Sequence, residues 1–419
     1  RTSYRESGLM GVPTPLVEIG FDLTDTGRGP FFVLDDEVKG KLDNTAFRLG
    51  GTLFYDVTDK VKSISIQRGK NRQLDQYDQG LANVVFNNND RTFDPEYEPS
   101  VFYGQIIPKR QIRISSGGVI QFFGTVDDWN LYYSPDGDST VGAACSDATS
   151  SFATQFIPAR TNSVQTSGDR INTILSLPEI DWPVNQRDIE VGAMALGADT
   201  VPENTNALAY FRTIEKSEPG SFFLSKTGSV VFRDRRTPGN ANGVTLADDG
   251  SGIPYANIIV EYGSENLHNE IALTSAITET QAIARSAESI QTYGIFSLNQ
   301  TGLLVNDDDE LVEMSKFYAN KYKEPEYRFN SIDIILDQRT AVQQSAALGL
   351  ELNDVVQIKF TPNGIAPAIS KYAEIIRIDH AVDNVNHVLS LGFATLAFSL
   401  FVLDDTQFGK LDSGNALAF

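Results

Sequence analysis

Short stretches in which apolar and polar residues take turns dominate this chain. Val57, Val61, Ile64 and Ile66 are spaced by Lys62, Ser63 and Ser65, which predicts a strand with one buried face. A polar turn containing Gly69 follows at 68–72. Next, 81–86 (Leu-Ala-Asn-Val-Val-Phe) predicts a second strand, stopped by Asn87, Asn88, Asn89 and Asp90. Pro95, Pro99 and Gly104 punctuate a long loop before a third strand at 110–115. Gly117 and Gly118 then fold the chain back into 119–126, and 127–133 runs on to the turn around Pro135, Asp136, Gly137 and Asp138. The small-residue strand 141–146, with Cys145 as a buried residue, completes a meander that predicts a barrel or sandwich, and 147–155 starts a helix.

The period then changes. Residues 167–177 read as a short polar-capped helix, ended by Pro178 and Pro183. In 204–216, Leu208, Phe211 and Ile214 share one helical face, and a hairpin follows through Phe222, Phe223, Lys226 and Val230. A flexible loop is expected at 237–254, and 257–262 and 270–274 look like paired strands. The stretch 280–293 fits either a helix or a strand that bends, and 301–306 is a short apolar piece. From Asp307 a helix runs to about Lys323, with Leu311, Met314, Phe317, Tyr318 and Tyr322 on its apolar side. The helix dipole explains the acids of its first turn better than a metal does. Strands at 328–336, 355–360, 373–378 and 388–393 complete a second β-domain.

The chain also repeats a phrase. Phe32, Val33, Leu34, Asp35 and Asp36 open F-V-L-D-D-x-x-x-G-K-L-D at 32–43, and Phe401, Val402, Leu403, Asp404 and Asp405 open it again at 401–412, with nine of twelve positions identical. Each copy reads as an arm adding its apolar strand to a neighbour's sheet edge, as a turn capping its own domain, or as a cation site through Asp35, Asp36 and Asp43. The spacing lacks the D-x-D-x-D-G pattern of a calcium loop. The expected layout is an arm at 1–55, a first β-barrel-like domain at 56–165, a small α/β domain at 166–256, a second β-domain with one helix at 257–399 and an arm at 400–419.

The run from 56 to 115 carries a resemblance. Its V-T-D opening, S-I-S-I-x-R-G strand, L-D-Q-Y, L-A-N-V-V-F-N-N-N-D-R-T-F-D-P and R-Q-I-R-I are similar to minor tail proteins that build the tail-tip hub of long-tailed bacteriophages. Asn87 to Pro95 is the most specific part, and the hairpin ending Val-Phe-Arg-Asp-Arg235 resembles the same proteins. The resemblance implies a mainly β fold: two β-barrel-like domains with a small α/β insert and extended N- and C-terminal arms, similar to phage baseplate hub proteins. It implies that the two barrels are alike, although the sequence repeats itself visibly only in the terminal phrase. It further implies a virion protein of the tail tip and a homotrimer. Its partners would be the tail tube or distal ring protein, the tape-measure protein's end and tip or fibre proteins, with DNA passing only in transit through the lumen. Tail proteins of this kind carry similar L-D-D…L-D segments, which favours the arm reading.

Composition narrows the alternatives. With 55 acidic against 34 basic residues the formal net charge is −21, a field opposed to general phosphate-backbone binding. The basic clusters at 68–72, at Lys109, Arg110 and Arg113, and at 233–236 are short; each suits subunit salt bridges or a solvated face, or else a lumen lining. A single cysteine excludes an intrachain disulfide. His268, His380 and His387 lack metal-site spacing and read as ordinary surface or core residues. No apolar run reaches the roughly 18 residues of a membrane span, and Arg1 to Gly11 lacks the apolar core of a secretory leader. No nucleophile elbow, Walker loop or dinucleotide fingerprint occurs, so no catalytic residue, cofactor or metal ligand is nominated and the protein is expected not to be an enzyme. The competing functions are a distal tail ring protein, a tail-associated hydrolase, and a receptor-binding tail protein that grips polysaccharide through aromatic loops at 93–103 or 128–133.

Overall fold

The computed structural model describes residues 11–21, 53–135, 137–235 and 241–396. Both copies of the F-V-L-D-D phrase, at 32–36 and 401–405, lie outside the described residues.

Strand β1 (Pro15–Phe21) pairs with β2 (Leu53–Asp56) and with β5 (Arg110–Ser116). Strand β3 (Val61–Gly69) pairs with β4 (Asp78–Asn87), β4 with β7 (Thr140–Ser146), and β7 with β6 (Val119–Tyr132), which returns to β5. Gly117 and Gly118, at φ 55° and 80°, make the tight β5–β6 turn, a conformation that residues with a Cβ resist. Alternate residues, among them Ile64, Ile66, Val84, Phe86, Ile112 and Val126, fill one core. The expected meander is present.

An α/β insert follows. Helices α1 (Thr149–Thr154), α2 (Ser167–Leu175) and α3 (Ala207–Ser217) pack on a small sheet of β8 (Arg187–Ile189), β9 (Ser221–Leu224) and β10 (Val230–Arg233). Thr166 caps α2 and Asn206 caps α3, each side chain accepting from a first-turn N–H. Fully buried Arg170 organises the insert. Its guanidinium donates to Gln165, Asp199, the Tyr210 hydroxyl and the carbonyls of Ser163 and Gly197.

The expected flexible loop at 237–254 contains strand β11 (Ala241–Ala247), which corrects that reading. It runs parallel to β17 (Val355–Phe360), a partner over a hundred residues away that no local pattern announces. The expected pairing of 257–262 with 270–274 is also wrong. Strand β12 (Asn257–Gly263) pairs with β16 (Glu326–Ile335), whereas β13 (Glu270–Ser275) sits between β14 (Gln281–Arg285) and β15 (Ser297–Leu303). The polar link between β12 and β13 makes no hairpin. Buried Asn269 instead donates to Ser289 and the Gly294 carbonyl and accepts from the Phe296 N–H, turning the chain into the second sheet. The ambiguous stretch 280–293 is β14 followed by helix α4 (Ala287–Tyr293). Helix α5 (Asp308–Tyr322), capped by Asp307, covers the β13 sheet with Leu311, Met314, Tyr318 and Tyr322.

Helix α6 (Ala341–Gly349) starts in a Thr340/Gln343 capping box and precedes β17, β18 (Ile369–Asp383) and β19 (His387–Thr395). With β11, β12 and β16 these strands enclose a second core of Ile332, Ile334, Ile358, Ile375 and Leu391. The fold is thus mainly β, with two barrel-like domains joined in one 13-stranded sheet and a small α/β insert.

Candidate assembly edges

The two barrels are copies of one plan. The order β3-β4-β7-β6-β5-β1 in the first matches β12-β16-β19-β18-β17-β11 in the second, and the six strands follow the same chain order in both. Each long hairpin carries a bulge at the matching place, between Val126 and Asp128 in β6 and between Ile375 and Arg377 in β18. One pairing differs in sense, since β1–β5 is antiparallel and β11–β17 parallel.

The copies meet at a strand seam. Beyond its bulge, β18 has β19 on one side and accepts β3 on the other, in register from Arg377↔Gly69 to Asp383↔Ser63. Gly69, at φ 116°, is required there, because a Cβ would lie 2.1 Å from the Ile376 carbonyl oxygen. Buried Arg68 ties three units together by donating to the Leu224 carbonyl at 2.9 Å and to Glu351 at 2.7 Å. Lys226, in the β9–β10 turn, donates to the carbonyls of Leu348, Gly349 and Leu350 at the end of α6, where a cation is favoured by the exposed C=O groups.

Two of the histidines read as ordinary residues come together behind this seam. His380 Nδ1 lies 3.0 Å from His387 Nε2, and His387 Nδ1 lies 3.3 Å from the Ser116 hydroxyl of the first barrel. Burial holds His380 well below the usual imidazole range, with the positive charges of His387, Arg68 and Lys226 adding to the effect. Burial lowers His387 to about 4, against a small upward pull from Asp337. The seven-residue spacing carries no motif. Only the hairpin, pairing Val382 with His387, brings the rings together.

Applied to the first barrel, the same plan identifies an open edge. The part of β6 beyond its bulge pairs with β7, but β5 reaches only Val126, so no strand among the described residues lies beside 127–132. This is the edge that β3 occupies on β18. The counterpart of β3 is β12, the end strand of the sheet, whose single partner among the described strands is β16. Each open edge displays apolar side chains: Tyr132 is 63% exposed, and on β12 Ile259 is 52% and Tyr262 70% exposed. Edge strands of this kind recruit further strands.

The most family-specific stretch, from Asn87 to Pro95, is a fold device. Asn88 Oδ1 accepts from the Phe93 N–H, Arg91 at φ 59° pairs with Asp94, and Asp94 caps the Glu96 N–H. Phe93 is thereby driven into the core, 4.6 Å from the Phe86 ring and stacked on Trp129 and Phe102. The aromatic loops considered for polysaccharide binding are divided: Tyr103, Tyr132 and Tyr133 are exposed, whereas their other large rings serve the fold. Phe93 and Phe102 are buried, and the Trp129 indole N–H donates to the Ile107 carbonyl. Five cations of the basic clusters are engaged in ion pairs, Arg68 with Glu351, Arg72 with Glu265, Lys109 with Asp127, Arg113 with Glu18 and Arg233 with Asp188, and Arg110 donates to Gln105. Cys145 is buried and its thiol is pushed up by desolvation. Among the described residues no cluster of three or more His, Cys, Asp or Glu could hold a metal ion, and no helix is long and apolar enough to cross a membrane.

This double-barrel plan with an α/β insert is shared with solved tail proteins. The 43 kDa tail protein of prophage MuSo2 from Shewanella oneidensis superposes with a TM-score of 0.55 at 12% identity, over 91% of this chain and 97% of that one. A tail protein from Neisseria meningitidis MC58 superposes with a TM-score of 0.56 at 11% identity, over 91% and 96%. No family model and no curated protein matches the sequence, so the likeness is one of fold.

Proposed function

We propose that this protein is a structural subunit of a phage tail tip, forming the hub that joins the tail tube to distal tip or fibre proteins. Three copies would close head to tail, setting six barrels side by side around the channel through which DNA leaves, with the end of the tape-measure protein inside. The observation that carries this reading is the doubled barrel, with one seam used inside the chain and its two counterparts left open. The 127–132 edge of one copy would take β12 of the next, as β18 takes β3, which places Tyr132 near Ile259. A heterologous contact repeated in this way closes into a ring. The F-V-L-D-D phrases at 32–36 and 401–405 would serve as arms onto neighbouring tail proteins.

Mass measurement and negative-stain imaging of the purified chain test this. Rings of three chains and six barrels are expected, and Tyr132→Asp or Ile259→Asp should yield folded monomers. A ring of six chains would instead support a distal ring protein, and a chain that stays monomeric at all concentrations and binds no tail component would overturn the reading.

A further inference from the structure

Two lysines that line one cleft stand outside the ion pairs described above. Lys70 follows β3 directly and is only 8% exposed, yet among the described residues its ammonium has no hydrogen-bond acceptor and no carboxylate oxygen within 4.0 Å. It lies over the Tyr77 ring at 4.6 Å. It lines a cleft of about 170 Å³ where the first barrel, the α/β insert, helix α5 and the second barrel converge. Lys321 of α5 lines the same cleft, over the rings of Tyr322 and Phe317 at 5.4 and 5.7 Å, and likewise lacks an acceptor among the described residues.

Asp75, Glu215, Asp234 and Glu374 line the same cleft, and Glu374 attracts both ammoniums from beyond ion-pair distance. Glu215 accepts from the Phe222 N–H at 3.0 Å and from Gln76 at 2.9 Å, and Glu374 accepts from Asn353 at 2.9 Å. Two ammoniums facing one cleft without an ion-pair partner repel each other. We propose that the cleft is an oxyanion site, seating one phosphate- or carboxylate-sized group between the Lys70 and Lys321 ammoniums. Burial pulls down the proton affinity of both lysines, and a bound anion would restore it. The volume falls below the roughly 300 Å³ at which small-molecule and cofactor pockets begin, which favours a single anionic group over a nucleotide or a sugar chain.

The group has two possible sources with one chemistry: a free oxyanion, or a carboxylate of this chain. Ala394 lines the cleft, and Asp404 follows ten positions later, within about 35 Å of extended chain. The site does not depend on the ring proposed above, so either can fail alone.

The test is a phosphate titration of the full chain against chloride at constant ionic strength, read by melting temperature and by calorimetry. The same titration is run on Lys70→Met, Lys321→Met and the double variant Asp404→Asn/Asp405→Asn. A saturable rise in melting temperature in the parent chain, lost in both lysine variants, identifies a free-ion site. A silent parent chain with a response in the Asp404/Asp405 variant identifies the chain's own carboxylate as the occupant. If Lys70→Met fails to fold, part-buried Lys321 carries the comparison. A response that survives the lysine substitutions, or no response in either the parent or the Asp404/Asp405 variant, overturns the proposal.

Discussion

The His380–His387 pair behind the barrel seam makes the sharpest prediction, a loss of stability in mild acid. In their shared hydrogen bond one imidazole must donate and the other accept, so both rings cannot carry a second proton in this geometry. With burial lowering His387 from 6.5 to about 4, the unfolded chain takes up its proton first as pH falls. The folded state is thus undiminished above pH 6.5, and His387 weakens it as pH drops from 6.5 towards 4, with His380, held lower still, adding to the loss across and below that window. One proton over that window amounts to about 3 kcal/mol, or roughly 1.4 kcal/mol per pH unit. Urea unfolding of the parent chain and of His387→Gln, followed by fluorescence at pH 7.5, 6.5, 5.5 and 4.5, isolates this contribution from that of the carboxylates. Whatever the substitution costs at pH 7.5, the gap should narrow by about 2–3 kcal/mol by pH 4.5 as the parent loses its advantage. Parallel pH profiles for the two proteins would refute the reasoning.

Three further outcomes follow from packing. Gly69→Ala forces a Cβ against the Ile376 carbonyl and should cost about 2 kcal/mol in urea unfolding, with faster hydrogen exchange concentrated in β3 and β18. Arg170→Met strips five donors from a buried network and leaves Asp199 without its cation, for a loss of about 3–5 kcal/mol localised to the insert. Limited proteolysis should then cut first between 150 and 233. Phe93→Ala opens a cavity among Phe86, Phe102 and Trp129 and should cost about 3–5 kcal/mol, read by thermal unfolding and by a change in Trp129 fluorescence.

Much of the fold was legible in the chain itself. Period-two runs ending in Asn, Asp, Gly or Pro mark β3 to β7, and Ser/Thr/Asn/Asp caps mark α2, α3 and α5, because side-chain alternation and orphan N–H groups are local requirements. The Thr340/Gln343 box of α6 is an equally local signal. The N-N-N-D-R-T-F-D-P stretch also encodes its own turns, and for that reason it carries the clearest resemblance. What the chain could not announce is which strand edge meets which. The polar link before Asn269 suits a β12–β13 hairpin as well as the crossing it makes, and β11 finds its parallel partner only once the second barrel has closed. The internal repeat is invisible in sequence because what the two barrels share is the order of backbone pairing, which many side-chain sets satisfy. Only the tertiary structure decided that β3 lies against β18, that 127–132 and β12 are left open, and that two distant lysines face one cleft, since each depends on contacts between residues the chain keeps far apart.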